Sequence, residues 1–394
     1  MHEVTGFSFA SAAAGIKAGG DDCALIVSTT PAQCAGVFTR NKVIAAPLVV
    51  TRPRIAAGRC QAVLINSGNA NACTGARGEE DARACAAAVA RQLEIDEQLV
   101  AVASTGVIGV PLPAALLQAA VPALCGSLDD GGAAAVASAI MTTDSFNKVV
   151  SRQVVGTGGS YRLCAIAKGA GMIHPNMATM LAFVMTDAAV DDTLLQPLLK
   201  RAVDNSFNSI TVDGDTSTND MVLLLANAQA GNEVICPGSA AADEFAAAVE
   251  ELLLELAKMI VRDGEGATKL VQIKVCGAVD DVQAKQAARS VATSNLVKTA
   301  FFGEDANWGR IIAAIGYADA VVVDPERIDI FFDDVQVVRD GLSTGAQLEE
   351  QAGAVLKRPE FCVRVDLHQG NGESSYYTSD LTYDYVKINA DYRT

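Results

Sequence analysis

Six consecutive apolar residues, Met180 to Met185, follow a loop that carries Gly169, Gly171 and Pro175. A run with no polar face must be covered on both sides, so it reads as a buried strand inside a layered sheet. The stretches QAVLINSG and QLVAVASTGVIG repeat the pattern, each an apolar strand running into a glycine loop. The sequence GTGGS at Gly156–Ser160 looks like a hairpin turn and predicts that Val149–Val155 pairs with Tyr161–Ala167.

Helices lie between these strand clusters. EEDARACAAAVARQL is alanine-rich and amphipathic. The segment from Ala242 to Gly264 puts Phe245, Val249, Leu252, Leu253, Leu256 and Ile260 on one broad face, with Gly264 at its C-terminal cap. KLVQIKV then sets Val271, Ile273 and Val275 on one side of a strand. The tail from Phe361 reads as strand and turn. Strands cluster and helices cluster without regular βαβ alternation, so the chain is expected to be α+β, with helices outside packed sheets. A length of 394 residues predicts two or three units. We expect a nucleophile-bearing core over about 1–190 with parts of the later chain, a middle region over about 191–275 and a C-terminal unit over about 276–394.

Composition narrows the class. Half of the residues are apolar and 19% are charged, as in a globular protein. A net charge of -16 opposes nucleic-acid binding, which needs clustered Lys and Arg. The ten cysteines include no CxxC pair and there are three histidines, so reduced structural thiols are expected and no metal site. The opening MHEVTGFSFASAAAGIK lacks a basic region before its apolar stretch. The charge-free run Val100–Leu128 is broken by Gly106, Gly109, Pro111, Pro113 and Pro122 into a strand, a turn and a helix. A cytoplasmic location is expected.

Familiar catalytic motifs do not carry the chemistry: GLSTG at 341–345 spells GxSxG but is not read as a nucleophile elbow, and the chain holds no GxxxxGK[ST]. VDGDTSTND resembles a calcium loop, but the sixth position from Asp213 is Thr218 and the twelfth is Leu224. Asp213, Asp215 and Asp220 are therefore read as turn and capping residues. His174, followed by Pro175, is read as loop geometry rather than as a general base.

The hydroxyl at the mouth of the apolar strand, Thr179, raises a different chemistry. Threonine needs a base beside it to act as a nucleophile. Cutting the chain just before Thr179 would free an α-amine within reach of its own hydroxyl, with an unperturbed pKa of about 8. The competing reading is a strand-edge threonine that only packs. Acyl transfer also requires oxyanion donors. STGVIG offers the Thr105 hydroxyl and the Gly106 N–H, although a plain glycine turn would look the same.

Taken together, FTRNKVIAAPL, LINSGNANACTG, STGVIG, MTTDSFNK, KGAGMIHPNMATML, TVDGDTSTND, GEGATK, DANWGR and the terminal NADYRT resemble the ornithine acetyltransferase family, the bifunctional glutamate N-acetyltransferases of arginine biosynthesis. The resemblance implies a four-layer αββα sandwich, similar to but distinct from the N-terminal nucleophile hydrolases, with a C-terminal α/β unit. It implies self-cleavage between Ala178 and Thr179 into chains 1–178 and 179–394, assembled as an α2β2 heterotetramer. It further implies ping-pong transfer of acetyl from N2-acetyl-L-ornithine to L-glutamate through Thr179. Thr105 and Gly106 would form the oxyanion hole. Thr142, Lys168, Thr179, Glu265, Asn389 and Thr394 would contact substrate. No cofactor or metal is implied, and acetyl-CoA stays open as a second donor. The alternatives are an aminopeptidase or amidase of the same broad fold, or a non-catalytic amino-acid-binding protein.

Overall fold

A computed structural model describes residues 2–174 and 180–391. The architecture is α+β, as expected, with one mixed sheet in each of two compact units. Of the described residues, the first unit comprises those up to Asn208 together with Asp215–Ile260, and the second comprises Ser209–Gly214 and those from Val261 to Asp391.

The first sheet contains β1 (Phe7–Ala12), β2 (Cys23–Phe38), β3 (Arg59–Asn66), β4 (Val100–Ser104), β5 (Lys148–Gly156), β6 (Gly159–Lys168) and β7 (Leu181–Thr186). The two-residue β8 (Ile210–Thr211) belongs to the second unit, and β9 (Met221–Ala226) returns to the first. The strand order is β4-β3-β2-β9-β7-β6-β5, with β1 also on β2. The apolar run is β7, held between β9 in parallel and β6 in antiparallel register. Both faces are covered, as its sequence demands: all six of its residues are buried. Leu181, Phe183 and Met185 join Ile166 and Leu223 in one core. Each large side chain buried this way contributes roughly 1.5–3 kcal/mol. The same alternation runs through β3, where Val63 and Ile65 enter that core and Ala62 and Leu64 enter a second one with the helices Gly75–Leu93 and Ala114–Gly126.

Turn chemistry fixes the registers. Gly156 faces Gly159 across the β5–β6 hairpin, and Gly159 takes φ +113°. Pro31 cannot donate to a ladder, and it lies where the register of β2 against β3 slips, between Val27 and Ala32. The run Val100–Leu128 does divide into β4, a turn and the helix Ala114–Gly126. The long helix Ala240–Arg262 buries Phe245, Val249, Leu252, Leu253, Leu256 and Ile260, and the Phe245 ring meets Tyr161 of β6 edge-on. Among the described residues no helix is long and apolar enough to cross a membrane. All ten cysteines are free, and burial pushes the thiols of Cys23, Cys60, Cys85 and Cys164 up to about 12.

The second sheet adds β10 (Leu270–Ala278), β11 (Asp329–Phe332), β12 (Val335–Arg339), β13 (Leu342–Ser343), β14 (Glu360–Asp366) and β15 (Gly372–Ser379), in the order β13-β12-β11-β14-β10-β15-β8. Val271, Ile273 and Val275 of β10 pack with Ala287 and Val291 of the helix Asp281–Thr293. The tail departs from expectation. After two strands it ends as a helix, Tyr383–Asp391, which buries none of its residues. Its β-branched and aromatic residues are weak helix formers, so sequence pattern favoured strand. A local contact starts it instead, with Thr382 Oγ1 accepting the Tyr385 N–H at 3.3 Å.

Lys298 is buried in this unit. Its ammonium donates to Thr378 Oγ1 at 3.0 Å, to Ser379 Oγ at 3.1 Å and to the Ser379 carbonyl. Burial lowers its pKa to about 7, with Asp380 and Asp213 opposing the shift. The unfolded chain therefore holds this proton between about pH 7 and 10 while the folded chain does not, so stability rises with pH across that window. Chemical denaturation at pH 7 and pH 10 should show that rise in the native protein and a flatter profile for Lys298→Met.

Candidate active site

The residues after β4 form a tight turn. Gly106 takes φ +131°, and a Cβ there would lie 2.3 Å from the Gly68 carbonyl carbon and 2.6 Å from the Asn69 nitrogen. Only glycine fits so close to another backbone. Thr105 beside it is buried, and its own N–H donates to the Asn66 carbonyl at 3.0 Å.

Asparagines hold this turn. Asn66 Nδ2 donates to the Asn69 carbonyl at 2.9 Å, while Asn66 Oδ1 accepts the Ser104 hydroxyl at 2.6 Å. Asn69 Nδ2 donates to the carbonyls of Val110 and Pro111, at 3.1 and 3.3 Å. Buried amides of this kind satisfy loop carbonyls that no ladder can reach. Asn219 completes the arrangement from across the sheet: its Nδ2 donates to the carbonyls of Ala70 at 2.6 Å and of Ser104 at 2.9 Å. The next residue, Asp220, accepts the Met180 N–H on Oδ1 at 3.0 Å. Two adjacent side chains thus tie the end of β4 to the start of β7. Asp220 is fully buried, so its reading as a turn or capping residue is corrected. Its role is not legible in the sequence, because a partner forty positions away leaves no local signal.

On the other side of β7, Lys168 ends β6 directly opposite Leu181. Its ammonium is buried and donates to Thr142 Oγ1 at 2.8 Å. The carboxylate of Asp144 orders this corner. Its Oδ1 accepts Lys148 Nζ at 2.8 Å and the Gly169 N–H at 2.6 Å, and its Oδ2 accepts the Thr142 N–H at 3.0 Å. Lys168 Nζ stands farther away, 3.6 Å from Asp144 Oδ2. Burial alone would raise the Asp144 carboxyl, but Lys168 and Lys148 outweigh it and hold it below the usual carboxylate range. Lys17 adds a further cation, donating to the carbonyls of Ala139 and Met141 at 3.3 Å each, with its pKa lowered by burial. Lys148 is the cation that Asp144 neutralises at contact distance. Lys168 keeps ammonium donor capacity, which suits a carboxylate ligand.

In the second unit, Glu265 lies between two glycines whose missing side chains let neighbouring chain approach. A Cβ on Gly266, at φ +68°, would lie 2.5 Å from the Tyr385 nitrogen. One on Gly264 would lie 3.2 Å from Val212. Gly264 therefore serves close packing, not a left-handed cap. This approach lets Asn389 Nδ2 donate to Glu265 Oε2 at 2.8 Å, while Thr382 Oγ1 donates to the Gly266 carbonyl at 2.7 Å.

Of the residues expected from sequence, Thr105 adjoins Gly106, Thr142 meets Lys168, and Glu265 meets Asn389. Ala178, Thr179 and Thr394 lie outside the described residues. His174 is buried in the loop after β6. Among the described residues no three His, Cys, Asp or Glu side chains gather as a metal site.

These features define the class first: an α+β protein of two sheet-bearing units, with buried polar side chains gathered where β4 ends and β7 begins. The chain belongs to the ArgJ family, whose model matches residues 8–394. It is 63% identical over its full length to the whole of the arginine biosynthesis bifunctional protein ArgJ of Syntrophotalea carbinolica. It is 55% identical over 99% of its length to the whole of the Geobacter sulfurreducens protein of the same name. A crystal structure of arginine biosynthesis bifunctional protein ArgJ from Bacillus halodurans, 47% identical, superposes with a TM-score of 0.52 over 53% of this chain and 98% of that one.

Proposed function

We propose that the chain cuts itself between Ala178 and Thr179, and that Thr179 then carries an acetyl group from N2-acetyl-L-ornithine to L-glutamate in arginine biosynthesis. The products are L-ornithine and N-acetyl-L-glutamate. The observation that carries this reading is the Asn219–Asp220 pair, which links the Thr105–Gly106 turn to the first residues of β7. The names of the relatives supply the pathway.

The chemistry follows from the groups available. The Thr179 Oγ attacks the acetyl carbonyl of acetylornithine, and the α-amine of the same residue takes the hydroxyl proton. Thr105 and Gly106 hold the oxyanion. The C–N bond breaks, the proton passes to the departing ornithine nitrogen, and acetyl stays on Thr179. Glutamate then attacks the ester through its amine, and the hydroxyl is restored. Lys168 with Thr142 anchors the substrate α-carboxylate. Glu265, Asn389 and Thr394 contact the rest of the substrate, with Glu265 facing a cationic amine. The bond formed is of the same kind as the bond broken, so the exchange needs no activating cofactor.

Chains 1–178 and 179–394 remain together as an α2β2 heterotetramer in the cytoplasm. Acetyl-CoA belongs to the same proposal as a second donor, since the relatives are called bifunctional; glutamate acetylation with acetyl-CoA alone tests it. Lys168→Met should raise the KM for acetylornithine about 100-fold or more, since it leaves a substrate carboxylate unpaired. Processing should proceed. Steady-state kinetics across acetylornithine concentration measure this, and an unchanged KM would remove Lys168 from the anchor role. Release of free acetate without glutamate acetylation would favour an amidase instead.

A further inference from the structure

The helix Tyr383–Asp391 buries none of its residues, yet it brings Asn389 Nδ2 to 2.8 Å from Oε2 of the buried Glu265. A short helix is marginal in water by propensity alone, and most helices are held by a packed apolar face. This one has no such face, so specific contacts have to place it. At its start the Tyr383 ring meets Phe302 edge-on, with 5.6 Å between centroids. The polar contact there comes from Thr382, which is buried. A hydroxyl offers one donor and two acceptor lone pairs, and this one uses both capacities. Oγ1 donates to the Gly266 carbonyl at 2.7 Å and accepts the Tyr385 N–H at 3.3 Å. One hydroxyl thus joins the turn that bears Glu265 to the helix that bears Asn389.

The chain on both sides of this bond is fixed in turn. Asp380, also buried, accepts the N–H groups of Thr268 and Lys269 on Oδ1 at 2.8 and 3.0 Å and the Thr268 hydroxyl on Oδ2 at 2.5 Å. Lys298 holds the stretch before Thr382: its carbonyl accepts the Leu381 N–H at 3.2 Å, and its ammonium donates to the hydroxyls of Thr378 and Ser379. Gly266 leaves room for the approach, since a Cβ there would lie 2.9 Å from Thr382 Oγ1. The segments around Gly266 and Thr382 are therefore one hydrogen-bonded frame, and the helix leaves it at the Thr382 hydroxyl.

We propose that Thr382 is a positioning residue for substrate: its hydroxyl holds Glu265 and Asn389 in the geometry that receives the substrate, and so sets affinity rather than the rate of acetyl transfer. The inference rests on the reading of Glu265 and Asn389 as substrate contacts. Asn389 Nδ2 on Oε2 fixes how the Glu265 carboxylate is turned. A helix that swings about its start takes Asn389 with it and lets the carboxylate rotate. A contact loosened in this way weakens binding before and during the reaction alike, which raises KM and leaves kcat in place.

The test uses the full chain with Thr382→Val, Thr382→Ser, Glu265→Gln and Asn389→Ala, assayed for acetylornithine-dependent glutamate acetylation. Valine keeps the shape and the β-branch and removes only the hydroxyl, so Thr382→Val should melt close to the native protein and be cut as the native chain is. Its KM for acetylornithine should rise about tenfold with kcat within about threefold. Thr382→Ser restores the hydroxyl and should bring KM back to within about threefold of native. In the Asn389→Ala background, Thr382→Val should add less than about threefold, because both changes act on one pair. A native KM in Thr382→Val would overturn the proposal. So would a KM that serine does not restore, or a full tenfold rise on top of Asn389→Ala. A lowered melting temperature with KM unchanged, the mark of a purely structural threonine, would also overturn it. Native KM in both Glu265→Gln and Asn389→Ala would overturn the reading of that pair and this inference with it. A raised KM in those two with a native KM in Thr382→Val would remove the inference alone.

Discussion

Replacing Thr179 by Ala is expected to leave the purified protein as a single 40.8 kDa chain with no acetyl transfer from acetylornithine to glutamate. The hydroxyl is asked to act twice, first on the Ala178 carbonyl and then on the substrate. Alanine removes both steps, and losing a nucleophile in this way costs on the order of 10⁴-fold or more in rate. Thr179→Ser should retain part of both, since serine has the same hydroxyl chemistry but lacks the methyl group that restricts its rotamers. Denaturing electrophoresis and intact mass resolve the outcomes: one band for alanine, and a mixture of whole and cut chains for serine.

Gly106→Ala is the second large effect. The added Cβ would press on the Gly68 carbonyl carbon at 2.3 Å, and alanine would be held at φ +131°. The turn must therefore move, and the N–H proposed to hold the oxyanion moves with it. Loss of one such donor costs about 10²–10³ in kcat. The neighbouring Gly109→Ala is the control, since it has φ +81° but nothing within 4 Å of its Cβ. It should lower stability through backbone strain while kcat changes far less. Equal loss of kcat in the two variants would remove Gly106 from the oxyanion role.

Most of the strands were legible because each carries its own pattern. The run Met180–Met185 admits no exposed face, and GTGGS marks a hairpin whose register the structure keeps from Lys148–Ala167 to Gly156–Gly159. The helix Ala240–Arg262 was legible for the same reason, since one stripe of its residues is apolar. Local pattern failed where a distant partner decides. Tyr383–Asp391 looks like strand and turn by composition, yet its chain is helical with Thr382 at the start. Asp220 looks like part of a turn in VDGDTSTND, yet its partner is Met180. Asn66, Asn69 and Asn219 were visible only as members of motifs. Their work is to bond the carbonyls of Asn69, Val110, Pro111, Ala70 and Ser104, and no spacing rule announces it. The family resemblance named Lys168 and Thr142 each as a substrate contact; their hydrogen bond to one another, and the part played by Asp144 between Lys148 and Lys168, had no signal in the sequence.

The central claim is that acetyl rests on Thr179 between the two half-reactions. Mixing the purified protein with N2-acetyl-L-ornithine in the absence of glutamate, quenching in acid and weighing the intact chains tests it directly. The account predicts that chain 179–394 gains about 42 Da, one acetyl group in place of one hydrogen, that peptide mapping puts the gain on residue 179, and that added glutamate discharges it. Acetylated glutamate formed at full rate while chain 179–394 never carries the extra mass would contradict it.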